Sequence, residues 1–441
     1  MNRSESATDE GLVREIGTFA LGANIMNMVV GAGIFVLPGV VAAQLGPAAL
    51  VAYLVCALIV GLVFLCYAEA GSRVTRSGGS YAYIEEAFGP FAGFIASTLL
   101  WLGWSVFSDA ALAVALTDAL ATKLPALGDG LPRQLFFVAL FGFLGVINIV
   151  GLKSGVRLVI ITTIAKLVPL VLLVAAGLFA INMDKLVIVE WPSMQNFGAA
   201  ALILFFAFAG AETALNSSGE IRNPSKTIPR GLLLGISGIF LLYLALQVVA
   251  QGTLGPELAN NTEAPLSAAA SIVFGNWGAQ LLLVGMVISI FGCLSGDVLN
   301  TPRVVFAAAR DGLLPGILAK VHPKHHTPYV AILFYVTAAC IFALTGSFRQ
   351  LAVVASGSVL LVYLGVSLAV IALRRRHGPA SKGQFSIPGG FVVPVLSSIV
   401  IIWLLSQMTA GEAVGIAALL AVTTLIHLVR QVRRKVAGSK V

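Results

Sequence analysis

The chain has 441 residues, of which 58% are hydrophobic and only 10% charged, and its mean hydropathy is +0.97. Soluble domains carry about 25% charged residues, so the composition excludes a soluble domain and describes a polytopic membrane protein. The net charge of +8 does not point to nucleic acid, because the basic residues concentrate in particular loops, which is a topology signal.

The start, Met1 to Gly17, is polar and mixed in charge. It does not read as a cleavable signal peptide, and the first apolar segment is expected to be a mature spanning helix. A spanning helix needs about 20 apolar residues. That length predicts twelve spans, at 17–41, 47–70, 91–121, 134–151, 157–181, 197–218, 230–253, 277–309, 328–345, 350–373, 389–408 and 412–429. The third and eighth are long enough to tilt or to extend beyond the bilayer. Between the second and third, Ser80 to Phe88 predicts a short amphipathic helix at the interface. The loops of one side hold Lys123, Arg133, Lys185 and Arg349, and Lys166 falls inside span five. The rest of the 27 lysines and arginines lie on the other side. Such asymmetry puts both termini, 1–16 and the basic tail 430–441, in the cytoplasm, with the protein in the inner (plasma) membrane.

The loops leave no room for a soluble catalytic domain. Cys56, Cys66, Cys293 and Cys340 read as small buried hydrophobes. His322, His325, His326, His377 and His427 lie in loops or near an end. Nothing has the spacing of a metal site or a nucleophile–base set, so neither a cofactor nor an enzyme is expected. A channel would show a continuous polar stripe or a filter motif, and neither is present. The sequence sets no oligomeric state.

Two spans are interrupted. In the first, Val30-Gly31-Ala32-Gly33-Ile34-Phe35-Val36-Leu37-Pro38-Gly39 places poor helix formers between apolar flanks. Gly costs about 1 kcal/mol in a helix interior and Pro about 3. Non-helical backbone at bilayer depth survives only where it is buried in protein or lines a cavity. The sixth span carries Phe205-Phe206-Ala207-Phe208-Ala209-Gly210-Ala211-Glu212-Thr213. Five helices separate the breaks. This spacing predicts an all-α fold of two inverted five-helix repeats, 17–181 and 197–373, followed by two further helices at 389–429. Discontinuous helices in matching positions mark the binding site of secondary transporters.

Ionisable residues inside spans are rare and functional, and four stand out: Asp109 in the third, Lys166 in the fifth, Glu212 after the second break and Asp297 in the eighth. Asp109, Glu212 and Asp297 around one cavity would bind a cationic side chain. Alternatively, the acids pair with Lys166 or relay protons. The residues leave both readings open.

Several motifs in order resemble the amino acid–polyamine–organocation (APC) superfamily of permeases. They are Gly31-Ala32-Gly33-Ile34-Phe35 with Pro38-Gly39, and Tyr67-Ala68-Glu69 followed by Arg76-Ser77-Gly78-Gly79-Ser80-Tyr81. Further on come Asn148-Ile149-Val150-Gly151-Leu152-Lys153, Glu220-Ile221-Arg222-Asn223-Pro224 with Ile228-Pro229-Arg230, and Arg310-Asp311-Gly312-Leu313-Leu314-Pro315. The resemblance implies a secondary transporter of amino acids or related amines, working by alternating access as a proton-coupled symporter or an exchanger. Cationic amino acids are one expected substrate class. Polyamines, diamines and neutral amino acids are the alternatives. The resemblance further implies that the substrate carboxylate meets the amides of Gly31, Ala32, Gly33 and Ile34, as an anion does at a helix N-terminus. The ammonium would meet carbonyls of Met28, Val29, Phe206, Ala207 and Ala209, and Phe206 would cover the substrate. Lys166 resembles a lysine that stands where sodium-coupled cousins hold sodium, which implies sodium-independent transport. Glu212 resembles an acid linked to proton sensing or amine recognition. Asp109 and Asp297 fall near positions that face the substrate in relatives.

Overall fold

The computed structural model describes residues 16–75, 78–150, 155–215, 221–310, 314–378, 380–381 and 383–438. The motif residues Arg76-Ser77, Gly151 to Lys153, Glu220 and Asp311 to Leu313 lie outside these, as do Ser217, Ser218 and the first fifteen residues. Sixteen α-helices follow in order: α1 (Thr18–Val29), α2 (Gly33–Leu45), α3 (Ala49–Arg73), α4 (Ser80–Phe88), α5 (Pro90–Thr98), α6 (Phe107–Ala121), α7 (Gly130–Val150), α8 (Gly155–Gly177), α9 (Met194–Phe208), α10 (Pro224–Leu254), α11 (Pro265–Phe274), α12 (Asn276–Arg310), α13 (Tyr329–Thr345), α14 (Phe348–His377), α15 (Val392–Leu405) and α16 (Ala410–Gly438). A π-helical stretch, Leu99–Val106, joins α5 to α6 in one long rod. Among the described residues the only strand-like pairing is an isolated bridge between Ile16 and Ile221.

Helix lies at each of the twelve apolar segments, because runs of leucine, valine, alanine and phenylalanine in lipid must satisfy every backbone group internally. Among the described residues, eight helical stretches are long and apolar enough to cross a bilayer. Leu58, Leu131, Phe179 and Leu233 are among the many large apolar side chains pointing outward, as lipid contact requires. The stretch Met194–Leu215 is the most enclosed, whereas Ala410–Leu428 is peripheral.

Three features depart from the sequence expectation. The helix at Ser80–Phe88 forms over the expected range but is not confined to a surface. Ser80, Ala82, Tyr83, Ile84 and Ala87 are buried, and the helix packs on α14 and α5. A ten-residue helix, α11, fills a stretch read as loop and packs on α12, α10 and α2. The last helix also runs on through Gly438 instead of giving way to a tail at 430.

Two groupings hold the centre. The first pairs α1 with α10, α10 with α3, and α2 with α9. The second gathers α6, α12 and α13, with α7 and α8 outside them and α14 bridging to α3, α4, α6 and α9. One end of the bundle is locked by a buried ion cluster. Glu69, without exposed surface, accepts from Arg73 Nε at 3.0 Å, from Arg374 Nε at 2.7 Å and from the Ile387 amide at 2.8 Å. Arg374 Nη2 closes a second bond to the same carboxylate. α3, α14 and the loop before α15 thus meet at one acid.

Candidate functional site

The two breaks cross each other. An ideal Cβ on Gly33 would stand 2.8 Å from Ala207 Cα, and one on Gly210 would stand 3.3 Å from the Met28 carbonyl oxygen. Only glycine at position 33 lets the α2 and α9 backbones approach so closely. Gly210 has φ +112°, a conformation that side-chain-bearing residues rarely adopt. Its neighbours fix it locally. The Gly210 N–H donates to Glu212 Oε2 at 3.0 Å, and Thr213 Oγ1 donates to the Gly210 carbonyl at 2.5 Å.

At the first break α1 ends at Val29 and α2 begins at Gly33, so their terminal backbone groups lose intrahelical partners. Some find substitutes. The Gly31 N–H, expected to be open, donates to the Val29 carbonyl at 2.8 Å. That carbonyl also accepts from the Tyr243 hydroxyl at 3.0 Å, and the Val30 carbonyl accepts from Ser289 Oγ at 3.2 Å. What remains is specific. Among the described residues, the amides of Ala32, Gly33 and Ile34 donate no hydrogen bond, and the carbonyls of Met28, Phe206, Ala207 and Ala209 accept none outside their own helices. Free donors and free acceptors therefore lie at the crossing, where Gly33 packs on Ala207 and Gly210 on Met28.

Aromatic side chains stand over this crossing. Phe206 lies 5.6 Å from Trp104 and 5.9 Å from Phe348, centroid to centroid. Lys166, 3% exposed, donates from Nζ to the Asn27 carbonyl at 2.5 Å. It ties α8 to the end of α1. Glu212, 1% exposed, accepts from the Tyr363 hydroxyl on α14 through Oε2, while its Oε1 has no partner among the described residues.

The remaining two acids lie on α6 and α12. Asp109 on α6 accepts from the Tyr335 hydroxyl on α13 at 2.8 Å. Asp297 lies partly buried on α12, which packs against both α6 and α13. Among the described residues, Lys166 bonds to the Asn27 carbonyl and makes no ion pair with either acid.

Sequence reasoning passed over several members of this site. Cys293, read as core filler, has its Sγ 3.5 Å from the position of a Gly31 Cβ. Ser289, Cys293, Asp297 and Thr301 recur every fourth residue along α12, which sets them on one helix face. That spacing was a readable signal. Tyr243, Tyr335 and Tyr363 carried none, since a lone tyrosine in an apolar helix is indistinguishable from packing.

The model of the amino acid permease family matches residues 16–428. The chain belongs to the amino acid permeases of the APC superfamily. The permease is 34% identical to the serine/threonine exchanger SteT of Bacillus subtilis over 88% of its own length and 90% of that protein's. It is 28% identical to the methylthioribose transporter of the same organism, over 96% and 95% of the two chains. It is also 28% identical to the branched-chain amino acid permease BcaP, over 91% and 89%. The permease is thus a multi-pass membrane transporter and not an enzyme.

Proposed function

We propose that the permease moves a small neutral amino acid by alternating access, as a sodium-independent exchanger or proton-coupled symporter in the plasma membrane. Its two five-helix repeats, 17–181 and 197–373, would rock around the crossed breaks, with both termini cytoplasmic. One observation carries this reading: the unbonded amides of Ala32, Gly33 and Ile34 lie across from the unbonded carbonyls of Met28, Phe206, Ala207 and Ala209. An amino acid zwitterion needs that set, donors at a helix N-terminus for the carboxylate and acceptors for the ammonium, at a spacing of a few ångströms. A simple polyamine would leave the donors unused.

The bond from Lys166 to Asn27 supports sodium independence, because a buried ammonium already occupies the carbonyl at the end of α1. The likeness to a serine/threonine exchanger favours a short side chain under Phe206.

Counterflow of labelled serine into liposomes containing the purified permease tests the reading. Saturable counterflow, unchanged when sodium is replaced by choline and competed by alanine and threonine ahead of arginine, is expected. Strict sodium dependence, or arginine displacing serine, would overturn it.

A further inference from the structure

α3 and α10 pack on each other, yet they part along their outer faces. Between them runs a groove of about 500 Å³, walled by Leu58, Gly61 and Leu65 from α3 and by Leu233, Ser237 and Phe240 from α10. Ser237 is the one polar side chain in that wall among the described residues. Leu58 and Leu233 are exposed at its rim, and nothing lies within 4 Å of a Cβ added at Gly61. Both helices belong to stretches long and apolar enough to span a bilayer, so the groove opens toward lipid.

Its length is that of a lipid tail. From Leu54 to Ala68 it runs about 21 Å along α3, and from Pro229 to Phe240 about 17 Å along α10, at about 1.5 Å per residue. One leaflet supplies about 15 Å of a hydrocarbon core of about 30 Å. A partner's spanning helix would need a seat along the whole core, in a trough about 10–12 Å wide. One end of the groove is closed. Ser72 Oγ, a turn beyond Ala68, donates to the Ser225 carbonyl at 3.2 Å and draws the end of α3 to the start of α10.

That same end is basic. Lys226 stands three residues before Pro229, and Arg230 three before Leu233, which sets both on the groove side of α10. Both are exposed, and no ion pair among the described residues uses either. Glu69, next to Ala68 on α3, has no exposed surface and is engaged by Arg73 and Arg374. An apolar groove of tail length that ends at two exposed cations matches the two-part chemistry of an anionic phospholipid.

We infer that the groove between α3 and α10 binds an anionic phospholipid, with an acyl chain against Gly61 and the phosphate at Lys226 and Arg230. The opposite face of α10 grips α1. A Cβ added at Gly231 would stand 2.6 Å from Leu21 Cδ2, and one at Gly235 would stand 2.7 Å from Ile25 Cγ2. α10 therefore carries α1 with it when it shifts, and a lipid seated between α3 and α10 bears on the helix that ends at the first break. The site does not depend on which amino acid is moved.

The test uses the purified, delipidated full-length permease in detergent, with phosphatidylglycerol or phosphatidylcholine of the same chains added. Phosphatidylglycerol should raise the thermal midpoint by several degrees, since a ligand of the folded state stabilises it, and phosphatidylcholine should raise it less. Native mass spectrometry should show one phosphatidylglycerol retained per chain. The double variant Lys226→Gln/Arg230→Gln should erase the difference between the two lipids. Gly61→Leu, whose side chain starts in open space and fills the groove, should lose the retained lipid. Equal stabilisation of the wild type by both lipids overturns the inference, and this comparison stands even where a variant fails to fold. Selectivity that survives in the double variant overturns it too, as does unchanged retention in Gly61→Leu, which would leave headgroup contact alone. A wild-type dimer that Gly61→Leu converts to a monomer would also overturn it, making the groove an interface between copies.

Discussion

Gly33→Ala puts one methyl group where the two broken helices touch. Its Cβ would meet Ala207 Cα at 2.8 Å and Ala207 Cβ at 3.0 Å. Carbon atoms rest at about 3.5–4.0 Å, so α2 and α9 must separate by about 1 Å. No flexible side chain is available to yield, since the obstructing atoms belong to backbone and to a bare Cβ. Overpacking of this kind costs about 1–3 kcal/mol, which a folded membrane bundle tolerates. The functional effect should be larger, because a displacement of about 1 Å in a positioned site costs about 100-fold. The assay is initial-rate serine counterflow alongside the thermal midpoint of the purified protein. Gly142→Ala is the control, as nothing lies within 4 Å of its added carbon. The expected result is counterflow reduced about 100-fold with a modest fall in midpoint, and an unchanged control. Gly33→Ala moving serine at the wild-type rate would refute the close crossing and the site built on it.

Other perturbations address other parts of the molecule. Lys166→Ala should abolish uptake while the protein still inserts and purifies as a folded monodisperse species, and normal uptake by this variant would remove the case for its cation-like role. Arg374→Met should destabilise by about 3–5 kcal/mol, the usual result of removing one partner of a buried ion pair, because it takes away the fork that meets both Glu69 oxygens; detergent-solubilised yield and thermal midpoint would register it. Gly210→Ala should lower the thermal midpoint, since a residue with a Cβ at φ +112° carries strain of about 1–3 kcal/mol; an unchanged midpoint would contradict the described turn.

Much of this architecture was legible in the residues. Glycine inside apolar runs announced both breaks, whereas Pro38, expected to belong to the first, lies inside α2; length alone found the apolar segments. Lys166 and Glu212 stood out because charge inside a span has few explanations. What stayed hidden depended on partners remote in sequence. Glu212 meets Tyr363 151 positions later, and Asp109 meets Tyr335 226 positions later, which no local pattern encodes. The engagement of the Gly31 amide by Val29 is a two-residue turn visible only in coordinates. α11 escaped because ten apolar residues fall short of a span and look like a loop. Glu69 was seen as part of a motif, but its burial depends on the approach of α14.

The Glu69 cluster also bears on how the chain is made. Arg374 emerges 305 residues after Glu69, and at about 5–20 residues per second the interval is on the order of 15–60 s. Throughout that time the newborn α3 has only its own Arg73, one turn away, to answer the acid. The Ile387 amide arrives later still. Completion of the bundle is therefore deferred until the ribosome has nearly finished, and chains truncated before α14 lack two of the three residues that answer Glu69.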